Sequence, residues 1–493
     1  MGIKRYTANA DTTITNAYKT NLTTRATSSN MGLADSLAIF HIYGQETATS
    51  SELSRVLIDF PISSDIASDR SAGLIPASGS VNWYLRVFNV VHPGTLPRNY
   101  NMTISAISRS WDEGTGLDME GYTDTGYANW TSAASSSGGI TNWTAAGGDY
   151  HATPTYTAPF VNGTEDIELD ISELVEQWIK GDAGGGQDTY GVGIKLENES
   201  AFSSSYTKMF SARDSEYFFK RPVLEARWNS ATKDDRGNFY YSSSLAPAVD
   251  NLNTLYLYNH VRVRLTNIPS IGTGEILVSV YSGSTNNTAP SGSKLLLAAG
   301  GGVVADLDTN ATGGYVSTGI YSCSFAITGA STPLSHLFDV WHGATTEYFT
   351  GSAIKPKTLS AGSHNPYSKH VMNVTNLRDV YYRNETAQFR LFTRQKDWNP
   401  TIYTKAVAAP AVQIVESGSF KIVRLTDNFS AIPFGTGSEL HTQLSFDSSG
   451  SYFDLDISML QAGYAYGIKF AFYDAVVGTW NEYPDLFKFR VEE

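Results

Sequence analysis

The chain of 493 residues carries 48 Asp and Glu against 35 Lys and Arg, a formal net charge of −13 at pH 7. That balance, without any Lys/Arg run, argues against nucleic acid or an anionic lipid surface as partner, since both need basic patches. Charged residues make up only 17% of the chain, and aromatics 12%, beside 43 glycines; helical proteins are richer in Ala, Glu, Lys and Leu, so the mix points to all-β modules, and the length to three of them.

The N-terminus, Met1-Gly2-Ile3-Lys4-Arg5-Tyr6-Thr7, lacks an apolar signal core, so no secretory signal is expected. No window approaches 18 apolar residues, and no membrane insertion is expected. The single cysteine, Cys323, permits no intrachain disulfide and reads as a small core residue.

In chain order, the apolar run Arg55–Phe60 reads as a strand buried on both faces or edge-on to the core. Val81–Phe88 alternates, placing Trp83, Leu85 and Val87 on one side. From Trp111 to Phe160 lie Trp111, Tyr122, Tyr127, Trp130, Trp143, Tyr150 and Tyr156, separated by Gly, Ser and Thr. These aromatics either pin a long loop to its own module or form a recognition surface, stacking on sugars or a partner protein. One segment reads as a helix, near 172–180: Ser172 is the expected N-cap, Leu174, Val175, Trp178 and Ile179 share a face, and Gly181 stops it. Asp170 precedes it directly.

A polar link at 230–237 sets the first boundary, giving a module over 1–230. The second module, 231–362, holds strand-like runs at Thr254–Leu265, Glu275–Tyr281, Tyr321–Ile327 and Phe338–Trp341. The third, 363–493, holds them at Lys369–Val374, Thr386–Thr393, Ser419–Leu425, Ser451–Leu455, Tyr464–Tyr473 and Phe487–Glu492. The fold expected is therefore all-β, three tandem β-sandwich domains of jelly-roll or Ig-like kind with one short helix.

An ordered set of motifs runs through the first module: Asn30-Met31-Gly32, Arg55–Phe60 with Asp59, Ser110-Trp111-Asp112-Glu113-Gly114, Asp170–Gly181 with Trp178, and Arg213-Asp214. In order and spacing the set resembles the DNRLRE-type β-sandwich, a module of secreted surface proteins and phage virion proteins. The resemblance implies a scaffold that adheres and assembles. It makes Asn30, Gly32, Arg55, Asp59, Asp170, Trp178, Arg213 and Asp214 structural residues, with Arg55 or Arg213 paired to a carboxylate such as Asp59 or Asp214. The last module, with Gly463-Tyr464-Ala465-Tyr466-Gly467-Ile468 followed by Phe487-Lys488-Phe489-Arg490-Val491, is similar to the C-terminal Ig-like sandwich of tailed-phage structural proteins, marine ones in particular.

Signatures of catalysis are missing: there is no His-Glu-x-x-His, no Gly-x-Ser-x-Gly and no phosphate-binding glycine loop. Asp112, Glu113 and Asp118 would support glycoside hydrolysis only as a pair about 5–10 Å apart across a cleft. Asp306, Asp308 and Asn310 offer oxygens with calcium-loop spacing, but Ala311 stands where an EF-hand needs glycine. The reading is a non-enzymatic virion protein without cofactor, assembled in the host cytoplasm. It would dock in multiple copies, or as a homo-oligomer, on capsid, neck or tail subunits. A host-surface glycan is the alternative partner, and a polysaccharide-degrading tail enzyme the third reading.

Overall fold

The computed structural model describes residues 2–96, 98–124, 126–136, 139–200, 205–283, 290–300, 307–328, 334–359, 369–398, 401–402 and 412–493. The protein is all-β, built from mainly antiparallel sheets, and divides into two compact units, Gly2–Trp228 and Asn229–Glu493.

The first unit contains β1 (Ile3–Thr7), β2 (Ala10–Thr15), β3 (Ser36–Tyr43), β4 (Ser51–Asp59), α1 (Ala67–Ser71), β5 (Asn82–Val87), β6 (Asn89–Val90), β7 (Tyr100–Ile107), β8 (Ser132–Ser136), β9 (Gly139–Asn142), β10 (Tyr150–Phe160), β11 (Ile167–Asp170), α2 (Ser172–Lys180), β12 (Val192–Leu196), β13 (Tyr206–Ser211) and β14 (Val223–Arg227). A small sheet has the order β1-β14-β5-β11, and a large one β10-β7-β12-β4-β3-β13-β6, with β2 also pairing β4. Alternation sorts β5 as its sequence anticipates: Trp83, Leu85 and Val87 are fully buried in the core between the sheets, where they meet Val56 and Ile58 of β4 and Leu174, Val175 and Trp178 of α2.

Helix α2 spans the expected residues, but its start is built differently. Ser172 is the first helical residue rather than the cap. Asp170 Oδ1 accepts the Ser172 N–H at 2.9 Å, and the Ser172 hydroxyl accepts the Trp83 N–H at 2.8 Å. Gly181 ends the helix at φ 66°. A second helical stretch, a π turn at Ile62–Ile66 running into α1, was not expected from the sequence. It is too short to show a helical period, and only Ile62 and Ile66 anchor it in the core. Arg70 of α1 clasps Glu176 of α2 at 2.6 and 3.1 Å.

The second unit holds two sheet systems. A seven-stranded sheet centred on Ile276–Gly283 packs around Tyr321, Cys323 and Trp341. Burial pushes the Cys323 thiol up to about 12. The expected run Thr254–Leu265 is not one strand: it stops at Tyr258, and a tight hairpin follows, with Arg262 and Val263 both at positive φ. No glycine marks that turn, so the sequence conceals it. The C-terminal system is a four-stranded sheet facing a six-stranded one, with rings from both stacked in its core; Phe420 and Phe453 lie 3.9 Å apart and Phe389 and Phe453 5.2 Å. Val380–Tyr382 pairs parallel with Phe487–Glu492. The buried Tyr466 donates its hydroxyl to the Gln461 carbonyl at 2.8 Å, the tyrosine corner of Ig-like sandwiches.

The segment 230–237, polar in sequence, is folded into this unit rather than a solvated link. Lys233 bridges to Phe446, and Asp234 is buried. Arg236 chelates the fully buried Asp339, whose Oδ2 also accepts the Trp341 indole N–H at 2.6 Å. Its polar residues are there to pair internally, because a buried carboxylate requires a cation. The boundary expected at 362/363 lies outside the described residues.

Removing the Tyr466 hydroxyl strands a carbonyl at the corner. Tyr466→Phe is expected to lower stability by about 1–2 kcal/mol, read as a lower urea midpoint with an unchanged slope; an unchanged midpoint would show that the corner bond contributes nothing.

Candidate functional site

Strand β4 presents a second face. Opposite Val56 and Ile58 lie Arg55 and Leu57, and Leu57 joins Ile14 of β2 and Ile107 of β7 in a separate apolar layer. The long segment between β7 and β10 covers this layer with Trp130 and Trp143, while Trp111, Tyr150 and Tyr190 pack at its margin. Two of the indoles are also tied down: Trp111 Nε1 donates to the Tyr190 carbonyl at 2.9 Å and Trp143 Nε1 to that of Asn129 at 2.8 Å. The Tyr150 hydroxyl donates to the Gly147 carbonyl at 2.9 Å, and that of Tyr156 accepts the Leu174 N–H at 3.2 Å. Five of the seven candidate recognition aromatics are therefore engaged in packing, four on the apolar sheet face beneath them and Tyr156 against the core between the sheets. Only Tyr122 and Tyr127, 38% and 39% exposed, stand at the loop surface.

Asn30, fully buried, fastens the loop. Its amide donates to the carbonyls of Glu113 at 2.7 Å and Ala128 at 2.9 Å, and its Oδ1 accepts the N–H groups of Gly32 at 3.2 Å and Gly116 at 2.8 Å. All of its side-chain donors are used, as a buried amide requires. The chains approach so closely that a Cβ at Gly32 would strike the Glu113 carbonyl, and one at Gly116 that of Asn30.

Beside this hub, Arg213 forks onto Glu113 through Nε and Nη2, each at 2.7 Å, while Glu113 Oε1 accepts the Asp11 N–H at 2.7 Å. Asp11 Oδ2 accepts the Arg213 N–H at 2.7 Å. Asp214 lies at 3.3 Å from Arg213, a secondary contact. Arg55 likewise forks onto Glu199, at 3.0 and 2.7 Å, donates to the Gly147 carbonyl at 2.6 Å and lies over the rings of Trp130 and Tyr150. Asp59 is not its partner. Both occupy the same strand, and Asp59 instead accepts from Asn9 at 3.0 Å. Burial pushes the Asp59 carboxyl up to about 6.

The acidic residues of the loop are staples as well. Asp112 accepts the Ser135 N–H at 3.0 Å, Asp118 those of Glu120 and Gly121 at 2.8 and 2.7 Å, and Glu120 that of Thr20. Asp308 and Asn310 do not share a calcium loop: Asn310 Oδ1 is taken by Lys294 Nζ at 2.6 Å and Ser279 at 2.9 Å, so an ammonium stands where a cation would be needed, and Asp308 accepts the N–H of Asn310 at 3.3 Å. Asp306 lies outside the described residues. Sequence reasoning did not find Glu113 and Asp11 as partners of Arg213, nor Glu199 as the partner of Arg55. Adjacency of Glu113 and Gly114 to Trp111 was the available signal for Glu113; Glu199 has none.

No protein-family model and no curated protein matches the chain. Among solved structures it is similar to a marsupial T cell receptor (8% identity, 52% of this chain and 71% of that one, TM-score 0.16) and to a DUF4785 family protein from Legionella pneumophila (8% identity, 82% of each, TM-score 0.14). Likenesses at this level carry no argument.

Burial, with Glu113 adding, pushes the Asp11 carboxyl up to about 7. The folded chain then holds a proton that the unfolded chain releases above about pH 4. Stability from this group is full below about pH 4 and is lost as the pH rises through about 7. Asp11→Asn, which keeps the acceptor and cannot ionise, should gain on the wild type as the pH climbs from 4 to 7.5 in urea unfolding; a difference constant with pH would refute this.

Proposed function

We propose that this chain is a non-enzymatic structural protein of a tailed-phage virion, acting by docking its sandwich faces, edges and loop crests on neighbouring capsid, neck or tail subunits in many copies per particle. One observation carries the reading: the side chains that would do chemistry in the first unit are engaged in holding it together. Glu113, Glu199, Asp112 and Asp118 bind arginine or backbone N–H, and Trp111, Trp130 and Trp143 cover a sheet. The order of the scaffold motifs and the Ig-like last module support the virion assignment through the resemblance they carry.

Immunogold labelling or reconstruction of purified particles should place the chain at symmetric positions on the particle; its absence from purified particles would remove the proposal. A second reading rests on Tyr122 and Tyr127, exposed on one loop, as a platform for host-surface glycan. On a glycan array, Tyr122→Ala with Tyr127→Ala should then weaken binding about ten-fold or more; no binding by the wild type would dismiss it.

A further inference from the structure

Lys208 of β13 is 1% exposed, an unusual place for a lysine. Its Nζ contacts three oxygens: Asn89 Oδ1 at 2.6 Å and the carbonyls of Gly163 at 3.0 Å and Glu165 at 2.7 Å. All three are neutral. The rings of Phe160 and Phe210, centroids 4.9 and 5.0 Å from Nζ, enclose the group further. Among the described residues no carboxylate pairs with the ammonium, and burial pulls it down to about 8, so a fraction is free amine near neutral pH.

The amine lies against a carboxamide. Asn89 belongs to β6, which pairs with β13 through Asn89↔Phe210 and Val90↔Met209, and the Asn89 N–H is fixed by Asp166 Oδ1 at 2.7 Å. Glu165, whose carbonyl contacts Nζ, also carries a carboxylate: its Oε1 accepts the N–H groups of Val161 and Asn162 at 3.0 and 2.7 Å, while its Oε2 is buried with no hydrogen-bond partner among the described residues. Glu165 is also the first charge acting on Lys208. A desolvated lysine is an activated nucleophile, and fixing it beside an acyl group removes most of the entropic barrier to condensation.

We propose that Lys208 and Asn89 condense into an intramolecular isopeptide bond that joins β13 to β6. Nζ attacks Asn89 Cγ, the Nζ–Cγ bond forms and the Cγ–Nδ2 bond breaks. Glu165 takes the proton from Nζ and delivers it to Nδ2, which departs as ammonia. Lysine amine and carboxamide become one secondary amide plus ammonia, with no oxidant and no cofactor. The product leaves a neutral group in an apolar site, where an ammonium is costly. It also closes a long loop across the two-residue edge strand β6, otherwise held by two residue pairs.

The test is the intact mass of the purified full chain, followed by peptide mapping. The expected result is a mass below that of the sequence by one ammonia, and a branched peptide linking Lys208 to Asn89. Lys208→Met and Asn89→Ala should each show the mass of their own sequence and a lower Tm. Glu165→Gln should remain largely unlinked while giving a native circular dichroism spectrum. A wild-type mass equal to that of the sequence, or an ammonia lost at any other residue, overturns the bond. Linkage at the wild-type level in Glu165→Gln overturns the assignment of the proton carrier.

Discussion

A sheet that is apolar on both faces must be covered twice, and the first unit is organised around that requirement. Val56 and Ile58 turn one way from β4 into the core between the sheets, while Leu57 turns the other way. The small sheet and α2 cover the first side. The second side is closed by the long segment between β7 and β10, with Trp130, Trp143 and Ala133 of β8. Leaving those indoles and the sheet beneath them in water would cost several kcal/mol in lost burial, which is why residues of a kind common at recognition surfaces are used as a lid on the fold.

A loop of that length must be held at fixed points, since ordering it opposes a large conformational entropy. Asn30 supplies one point with four hydrogen bonds, and the fork of Arg213 on Glu113 supplies another. Arg55 adds a third by reaching from the sheet to Glu199 and Gly147. These groups are buried or half-buried, and each ion pair is a two-pronged fork, which offsets the desolvation of its charges. The second unit repeats the principle: Arg236 and Asp339 draw a polar segment into the interior beside Trp341. In both units charged residues are engaged in internal fastening.

The C-terminal sandwich combines such forks, as Arg390 makes on Asp447 at 3.2 and 2.9 Å, with a core of stacked rings. Phe389, Phe420 and Phe453 stack between its two sheets, and Tyr466 ties the corner. Rings of this size bury enough apolar area to take over a cross-link's role in keeping two sheets together.

The sequence by itself determined the all-β class, the alternation of β5 and the extent of α2, because those depend on local period and local turn chemistry. Only the tertiary structure decided which carboxylate meets which arginine: Glu199 is remote in sequence from Arg55, and Glu113 from Arg213. It also decided that five of seven loop aromatics face inward, that the segment 230–237 is internal, and that Lys208 lies against Asn89. Each of these depends on contacts between residues far apart in the chain, and a linear pattern holds no record of what a side chain meets once the sheets have closed over it.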